Sequence, residues 1–358
     1  MKLILHIGTP KTGTTSIQHY LNKNRLKLTL NRIYVPLSVM TAPGNHRWVP
    51  VIAYNNNHVD GFTKKRFKNK KDREEKINDL KYRFATECKD AVSAGKCDTL
   101  ILTSEHCHAR LREEEEIERL YNFFKDIFDE IKIVIYIRDP LKMAVSRFSE
   151  GIKSGYLTRH LPAPTERNFD KHLCNHAHYI DLWSRCFRGT EILVRRFERN
   201  LLIGGDVVTD FCSSLFPDLD RSDFEDQDKR NESMSLTGMA LIRKMNFQFP
   251  YFINNKVNPM RGQIVDPILE STNDGSKFLP CKEEFSAYND AFAKSNEKVR
   301  ARYFPEDKSL FPPQQVFSEE KIDLEDVEIS PSLYEKVIAE LWKRNRQIEE
   351  RLETMQQS

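Results

Sequence analysis

The stretch His6-Ile7-Gly8-Thr9-Pro10-Lys11-Thr12-Gly13-Thr14-Thr15-Ser16 decides how the rest of the chain is read. It follows the apolar run Leu3-Ile4-Leu5 and precedes Ile17-Gln18-His19-Tyr20-Leu21, which predicts a strand, a glycine-bounded turn and the first turn of a helix. Gly8 and Gly13 allow backbone angles that a side chain disfavours, so successive amides from Thr12 to Thr15 can point at one anion at a helix N-terminus. Thr14, Thr15 and Ser16 add hydroxyls, and Lys11 adds a cation. An ordinary nucleoside-triphosphate loop has lysine directly after its second glycine, whereas Thr14 stands there in this chain. The lysine lies inside the loop instead.

Outward from this loop, the 358 residues are 39% apolar and 30% charged, which suits a globular protein with ample core, read as one domain over 1–358. No apolar run reaches the length of a membrane span, and the first residues pass straight into a strand, so a cytoplasmic chain without a transmembrane segment is expected. The seven cysteines are odd in number and lack short paired spacing, which argues against a disulfide framework and against zinc. No metal is expected. A net charge of +3 gives no reason to expect nucleic acid as a partner. Lys64 to Arg73 (KKRFKNKKDR) is strongly basic locally and reads either as a solvated surface or as an attractor of an anionic acceptor.

The remaining pattern alternates strands with helices. A helix is predicted from Thr14 to about Leu26, and 27–70, with its prolines and Asn55-Asn56-Asn57, reads as an irregular insertion. Helical spacing starts at Asp72 and runs through Ile77, Leu80, Phe84 and Cys88. Thr99–Thr103 and Ile131–Ile137 read as interior parallel strands, separated by a helix over Glu113–Phe128. Pro140 suits the first turn of the next helix. A helix through Tyr179 and Trp183, a strand over Glu191–Phe197 and a helix over Asp206–Leu215 follow. Ser233–Phe247 again has helical spacing, 248–330 has no clear period, and 331–355 is a charged helix that packs either on its own domain or on a second subunit. The class is therefore α/β: a P-loop-type, doubly wound, central parallel sheet flanked by helices, with helical and irregular insertions and a C-terminal helix.

Three polar clusters then stand at the C-terminal ends of three strands: Lys11 with Thr12 to Ser16, Ser104-Glu105-His106, and Arg138-Asp139. In open α/β sheets the ligand crevice lies at that edge, so the clusters can converge. Gly44-Asn45-His46-Arg47-Trp48, within the insertion, has a composition suited to a polar acceptor and makes His46 and Arg47 candidate substrate contacts. It also suits a plain structural loop anchored by Trp48.

These residues resemble the sulfotransferases that use 3'-phosphoadenosine 5'-phosphosulfate (PAPS). Lys11-Thr12-Gly13-Thr14-Thr15 is similar to that family's 5'-phosphosulfate loop, Lys-Ser/Thr-Gly-Thr-Thr after a strand. Arg138, Pro140 and Ser146 are similar to its 3'-phosphate motif, in which Pro lies two residues and Ser eight residues beyond Arg. Tyr179 with Trp183, Val194 to Glu198, Asn231-Glu232-Ser233 and Tyr303-Phe304-Pro305 look like segments of bacterial members.

The resemblance implies PAPS as co-substrate, 3'-phosphoadenosine 5'-phosphate (PAP) as product, and a glycan, glycolipid or other hydroxylated small-molecule or lipid acceptor. Lys11 would stabilise the leaving phosphate, and Thr12, Gly13, Thr14, Thr15 and Ser16 would hold the 5'-phosphate. Arg138 and Ser146 would hold the 3'-phosphate, with no metal. Carbohydrate-sulfating relatives commonly use Glu as the base and small-molecule-sulfating relatives use His, so Glu105 is the first candidate and His106 the second, with His108 and His46 in reserve. Arg196, Phe197 and Glu198 would lie near the adenine, and Asn231 and Ser233 would help close the nucleotide pocket. His176 and His178, two apart on a helix, do not share a face and make poor metal ligands. The competing readings are an ATP/Mg-dependent phosphotransferase, for which Asp139 is the one candidate metal ligand, and a non-catalytic module binding nucleotide or polyanion. A homodimer through the C-terminal helix fits the charged tail.

Overall fold

The structure, a computed structural model, describes residues 1–166, 172–226, 234–254, 256–272, 275–314 and 316–357. These fall into two compact units, the first made of Met1–Asp139, Lys171–Asp228 and Phe292–Pro312, the second of Pro140–Asp170, Lys229–Ala291 and Pro313–Ser358.

The first unit is built on a five-stranded sheet of β1 (Lys2–Gly8), β2 (Ile33–Tyr34), β3 (Thr99–Thr103), β4 (Glu130–Ile137) and β5 (Glu191–Arg196), in the spatial order β2-β3-β1-β4-β5. Every pairing is parallel. The register sets His6 beside Thr103, and Ile137 beside Arg196, so the residues that follow β1, β3, β4 and β5 all emerge at one edge. The predicted α/β class is the class observed.

Alternation along β1 supplies both faces of the sheet. Leu3, Leu5 and Ile7 pack with Leu80 and Phe84 of α4 (Lys70–Ser93), Ile117, Leu120 and Phe124 of α6 (Glu114–Lys125), and Trp183 of the helix His176–Cys186. Ile4 packs on the opposite face with Ile17, Tyr20 and Leu21 of α1 (Thr14–Lys23) and with Val207, Val208 and Phe211 of the helix Val207–Leu215. Each Leu, Ile or Phe taken fully out of water contributes about 1.5–3 kcal/mol, so the two cores fix the sheet that carries the loops. Asp210 adds a polar tie between the sheet and the helix Val207–Leu215. Fully buried, it accepts a hydrogen bond from the Tyr136 hydroxyl at 2.6 Å, pairs with Arg195, and accepts from the Ile203 amide at 2.9 Å.

The first helix ends earlier than its spacing suggests, at Lys23. Asn24 breaks it, because its side-chain amide donates to the Tyr20 and Glu225 carbonyls while its oxygen accepts from the Glu225 amide at 2.7 Å. The insertion is more regular than its composition indicates: α2 (Arg25–Leu30), β2 and α3 (Trp48–Ala53) lie within it.

The second unit contains the helices Pro140–Lys153, Leu236–Gln248, Pro259–Ser271 and Pro331–Gln357, and a short antiparallel pair, Phe252–Ile253 with Lys256–Val257. The long helix Lys282–Tyr303 starts in this unit and ends in the first. Within the second unit, Arg243 pairs with Glu325, and Arg261 donates to the carbonyls of Phe249 and Lys153, each at 2.8 Å. Among the described residues no helix is long and apolar enough to cross a membrane.

Candidate active site

The loop after β1 is held in shape by three backbone residues in the left-handed region: Gly8 at φ 106°, Lys11 at φ 65° and Gly13 at φ 73°. Lys11 is the unusual one, since a side chain disfavours this region and residues kept there cluster at functional sites. Its carbonyl is gripped by the Arg138 guanidinium at 2.7 Å, which ties the end of β4 to the loop after β1. Thr12 is buried and its hydroxyl donates to the Thr9 carbonyl at 2.6 Å, closing the loop on itself.

Gly13 is the N-cap of α1 and has no side chain to offer the first amides of that helix, nor does the first turn contain an acidic residue. The opening amides of a helix have no intrahelical acceptor, so those of Thr14 and Thr15 suit an anion. Gly13 is also required by space: a Cβ there would stand 2.7 Å from Cγ1 of Val207 and 3.1 Å from Cε2 of Phe197. Phe197 in turn lies under the Arg138 guanidinium, with 5.5 Å between the guanidinium carbon and the ring centre. Thr14 is buried, Lys11 and Ser16 are half-buried, and Thr15 is exposed.

Glu105 opens α5 (Glu105–Arg110) directly after β3. Its carboxylate accepts from the Gln18 side-chain amide at 2.8 Å and from the Asn45 side-chain amide at 3.3 Å, and the His106 ring lies 3.4 Å away. Gln18 belongs to the helix that starts at the loop, so the carboxylate is fastened to the same element that presents the amides. Its backbone is fastened too, because Gly8 leaves no room for a Cβ beside Glu105. Burial pushes the His106 imidazole down to about 4, helped by Arg47 and Arg110 and opposed by Glu105, so the ring is neutral at neutral pH.

Of the reserve histidines, His46 is wholly buried; its Nδ1 accepts from the Thr103 amide at 3.0 Å and its Nε2 lies 3.0 Å from the Pro36 carbonyl. These partners require the Nε2-protonated tautomer, and burial holds the pKa down at about 4. His46 therefore stitches its loop to the end of β3 and presents its neighbours Asn45 and Arg47. His108 is also fully buried, stacked on Tyr179 at 3.9 Å, while the Tyr179 hydroxyl holds the His108 carbonyl at 2.6 Å and so anchors α5. Neither ring is presented as His106 is.

An open crevice of about 450 Å³ lies beside Glu105, with Asn45, Arg47, Asp60, Phe62, Arg66, His106 and Arg110 in its wall. Arg47 is paired with Asp60 and lies 3.1 Å from the Tyr54 hydroxyl. The basic run splits: Arg66 faces this crevice, whereas Arg73 is buried and donates to backbone carbonyls of Tyr54, Asn55, Asn56 and His58.

Arg138 is positioned from behind by His176, whose Nε2 is 2.8 Å from the Arg138 carbonyl. Ser146 lies on the helix Pro140–Lys153, in the second unit. Arg196 is committed to Asp307 at 2.8 Å and to the face of Phe304 at 4.2 Å. Asn231 and Ser233 lie outside the described residues. All seven cysteines are buried and none is in a disulfide. Among the described residues no group of three or more His, Cys, Asp or Glu is arranged to hold a metal.

Gln18, Asn45, His176 and Arg66 are the residues that motif reading passes over. Asn45 and Arg66 fall inside segments already notable for composition, whereas Gln18 and His176 become visible only through the partners they touch.

No protein-family model matches the chain. It is similar to an uncharacterized protein of Archaeoglobus fulgidus, 27% identical over 222 residues, which are 60% of this chain and 56% of that protein. The chain thus spans little more than half that relative's length. Among solved structures it is similar to the crystal structure of a sulfotransferase from Alicyclobacillus acidocaldarius, at 12% identity and a TM-score of 0.37, over 84% of this chain and 94% of that one.

Proposed function

We propose that the protein is a PAPS-dependent sulfotransferase acting on a hydroxyl, or an amine, of a glycan, glycolipid or other hydroxylated acceptor. The observation that carries this reading is the fastening of Glu105 to the anion loop, by Gln18 from the loop's own helix and by its packing on Gly8. A proton acceptor and a phosphate cradle held as one rigid piece suit transfer between a phosphosulfate and an acceptor.

PAPS supplies the sulfuryl group and a leaving phosphate. On the protein side, the Glu105 carboxylate takes the acceptor's proton as the acceptor oxygen bonds to sulfur. The electron pair of the breaking bridge bond goes to the 5'-phosphate oxygen. Lys11, with the amides of Thr14 and Thr15, stabilises the charge that develops there. The hydroxyl of Thr12 serves the loop instead, while Thr15 and Ser16 add donors at the helix start. Arg138 takes the 3'-phosphate, and motif spacing assigns Ser146 to the same phosphate. His106, neutral and beside Glu105, shapes the acceptor side.

A second copy of the chain is proposed as partner of the C-terminal helix. Tyr334, Ile338, Trp342, Ile348 and Leu352 share one face of it, with Ile338 and Trp342 65% and 69% exposed. Over 331–346 the helix has four bases to two acids, and over 347–357 three acids to one base. Antiparallel pairing of two copies therefore sets opposite charges against each other.

The test is transfer of labelled sulfate from PAPS to a panel of glycans, glycolipids and phenols by the wild type and Glu105→Gln. The variant should bind PAP normally and lose turnover by about a hundredfold or more. Unchanged turnover would remove Glu105 from the base role.

A further inference from the structure

The short antiparallel pair of the second unit, Phe252–Ile253 with Lys256–Val257, is exposed along both strands. Successive residues of a strand point to opposite sides, so exposure of all four means that neither side of the ribbon is covered. Three of the four are apolar. Phe252 is 56% exposed, Ile253 48% and Val257 47%, and Phe247 before the ribbon and Met260 after it are exposed as well. A ribbon this short has little stability of its own, and it is held at its base. The Asn258 amide donates to the Tyr251 carbonyl at 2.9 Å, the Asn258 side chain to the Pro250 carbonyl at 3.0 Å, and Arg261 to the Phe249 carbonyl at 2.8 Å. Gly155 packs on Tyr251, where a Cβ would stand 2.8 Å from the Tyr251 Cβ, and the exposed Tyr156 and Leu157 follow it. A fixed mount thus holds apolar side chains in water on both sides of the ribbon.

The charge of the segment is one-sided. No Asp or Glu occurs between Glu232 and Asp266, a stretch that contains Arg243, Lys244, Lys256 and Arg261. Arg243 pairs with Glu325 and Arg261 is spent on backbone carbonyls, so the charge offered to a partner is that of Lys256, which is exposed, and Lys244, which is half-buried. A protein groove covers one side of such a ribbon, whereas a lipid surface closes around it on all sides and sets phospholipid anions against the two lysines. Aromatic side chains suit the headgroup level. Insertion is shallow, because the outer edges of a two-stranded ribbon keep unpaired amides and carbonyls that need water.

We propose that this hairpin seats the protein peripherally on an anionic phospholipid surface, with Phe252, Ile253 and Val257 at the boundary of headgroups and acyl chains and Lys244 and Lys256 among the phosphates. The seating does not depend on the transfer reaction.

Flotation of the full chain with vesicles of phosphatidylcholine and phosphatidylserine in about a 7:3 ratio, set against phosphatidylcholine alone, tests this. The wild type should partition onto the mixed vesicles at least about tenfold more strongly than onto the neutral ones. Phe252→Ser combined with Ile253→Ser, both at exposed positions, should lower that partition about tenfold at an unchanged melting temperature, and Lys256→Gln should lower it about fivefold. A polarity-sensitive fluorophore on an Ile253→Cys variant, selective because the native cysteines are buried, should shift to the blue on the mixed vesicles. No partition onto the mixed vesicles, or equal partition onto both kinds, overturns the proposal. So does wild-type partition by the double variant, or a fluorophore that stays in water while the chain is bound. Loss of half the mass in light scattering by the double variant, with vesicle binding intact, overturns it too and assigns the ribbon to a second copy of the chain.

Discussion

Gly8 and Glu105 are packed so closely that a Cβ on Gly8 would stand 3.0 Å from the Glu105 Cα and 3.1 Å from its Cβ. The first residue of the anion loop and the candidate base therefore share one rigid contact, formed because β1 and β3 are neighbours in register and both chains leave the sheet at the same edge.

Gly8→Ala should be damaging twice over. Alanine at φ 106° is strained, by about 1–3 kcal/mol, and its methyl meets backbone that cannot swing aside. A melting temperature lower by several degrees and a loss of turnover are expected together in thermal melts and sulfate-transfer assays. Wild-type behaviour in both would show that the contact does not position Glu105.

Acid should unfold the protein through its buried histidines. His6 is held down to about 3 and His46 and His176 to about 4, in each case chiefly by burial. In the unfolded chain such a ring titrates near 6.5, so below that value the unfolded state takes up protons that the folded state refuses. The stability these groups allow is intact above about 6.5 and is lost as the pH falls toward about 4. Melting temperature recorded across this window should drop steadily. His46→Gln, whose amide can accept from Thr103 and donate to Pro36, should make the drop shallower; an unchanged slope would mean that His46 is protonated in the folded state.

The exposed face of the C-terminal helix predicts an assembly. Light scattering on the purified chain should give twice the chain mass at micromolar concentration, and Trp342→Glu should return it to one. A monomeric wild type would show that this face has another role.

Much of this architecture could be read directly. Leu3-Ile4-Leu5, Thr99–Thr103 and Ile131–Ile137 announced β1, β3 and β4 because interior parallel strands must be apolar on both faces. Asn69 caps α4 by accepting from the Asp72 amide, and Asp206 caps the helix Val207–Leu215, so both starts had their chemical signal. The helix Lys282–Tyr303 lies among prolines that mask its signal although Phe285, Tyr288, Phe292 and Val299 have helical spacing, and Pro267 inside Pro259–Ser271 hides that helix in the same way.

The candidate site was legible as motifs but not as contacts. Lys11, Glu105 and Arg138 stood out at strand ends, whereas the grip of Gln18 on Glu105 and of His176 on Arg138 joins residues 87 and 38 positions apart. His46 shows the limit of composition: a histidine in a polar loop resembles a ligand contact, yet its two nitrogens are engaged with the backbone of Thr103 and Pro36.

In the proposed reaction the loop and Arg138 hold the bisphosphate nucleotide left after sulfuryl transfer. Calorimetric titration of the full chain with PAP, set against ATP plus magnesium, decides whether they do. Saturation with PAP at a hundredfold above its Kd should also stabilise the fold by about 2.7 kcal/mol, with ATP and magnesium giving no measurable effect. Binding of ATP–magnesium without binding of PAP would rule out a bisphosphate site there.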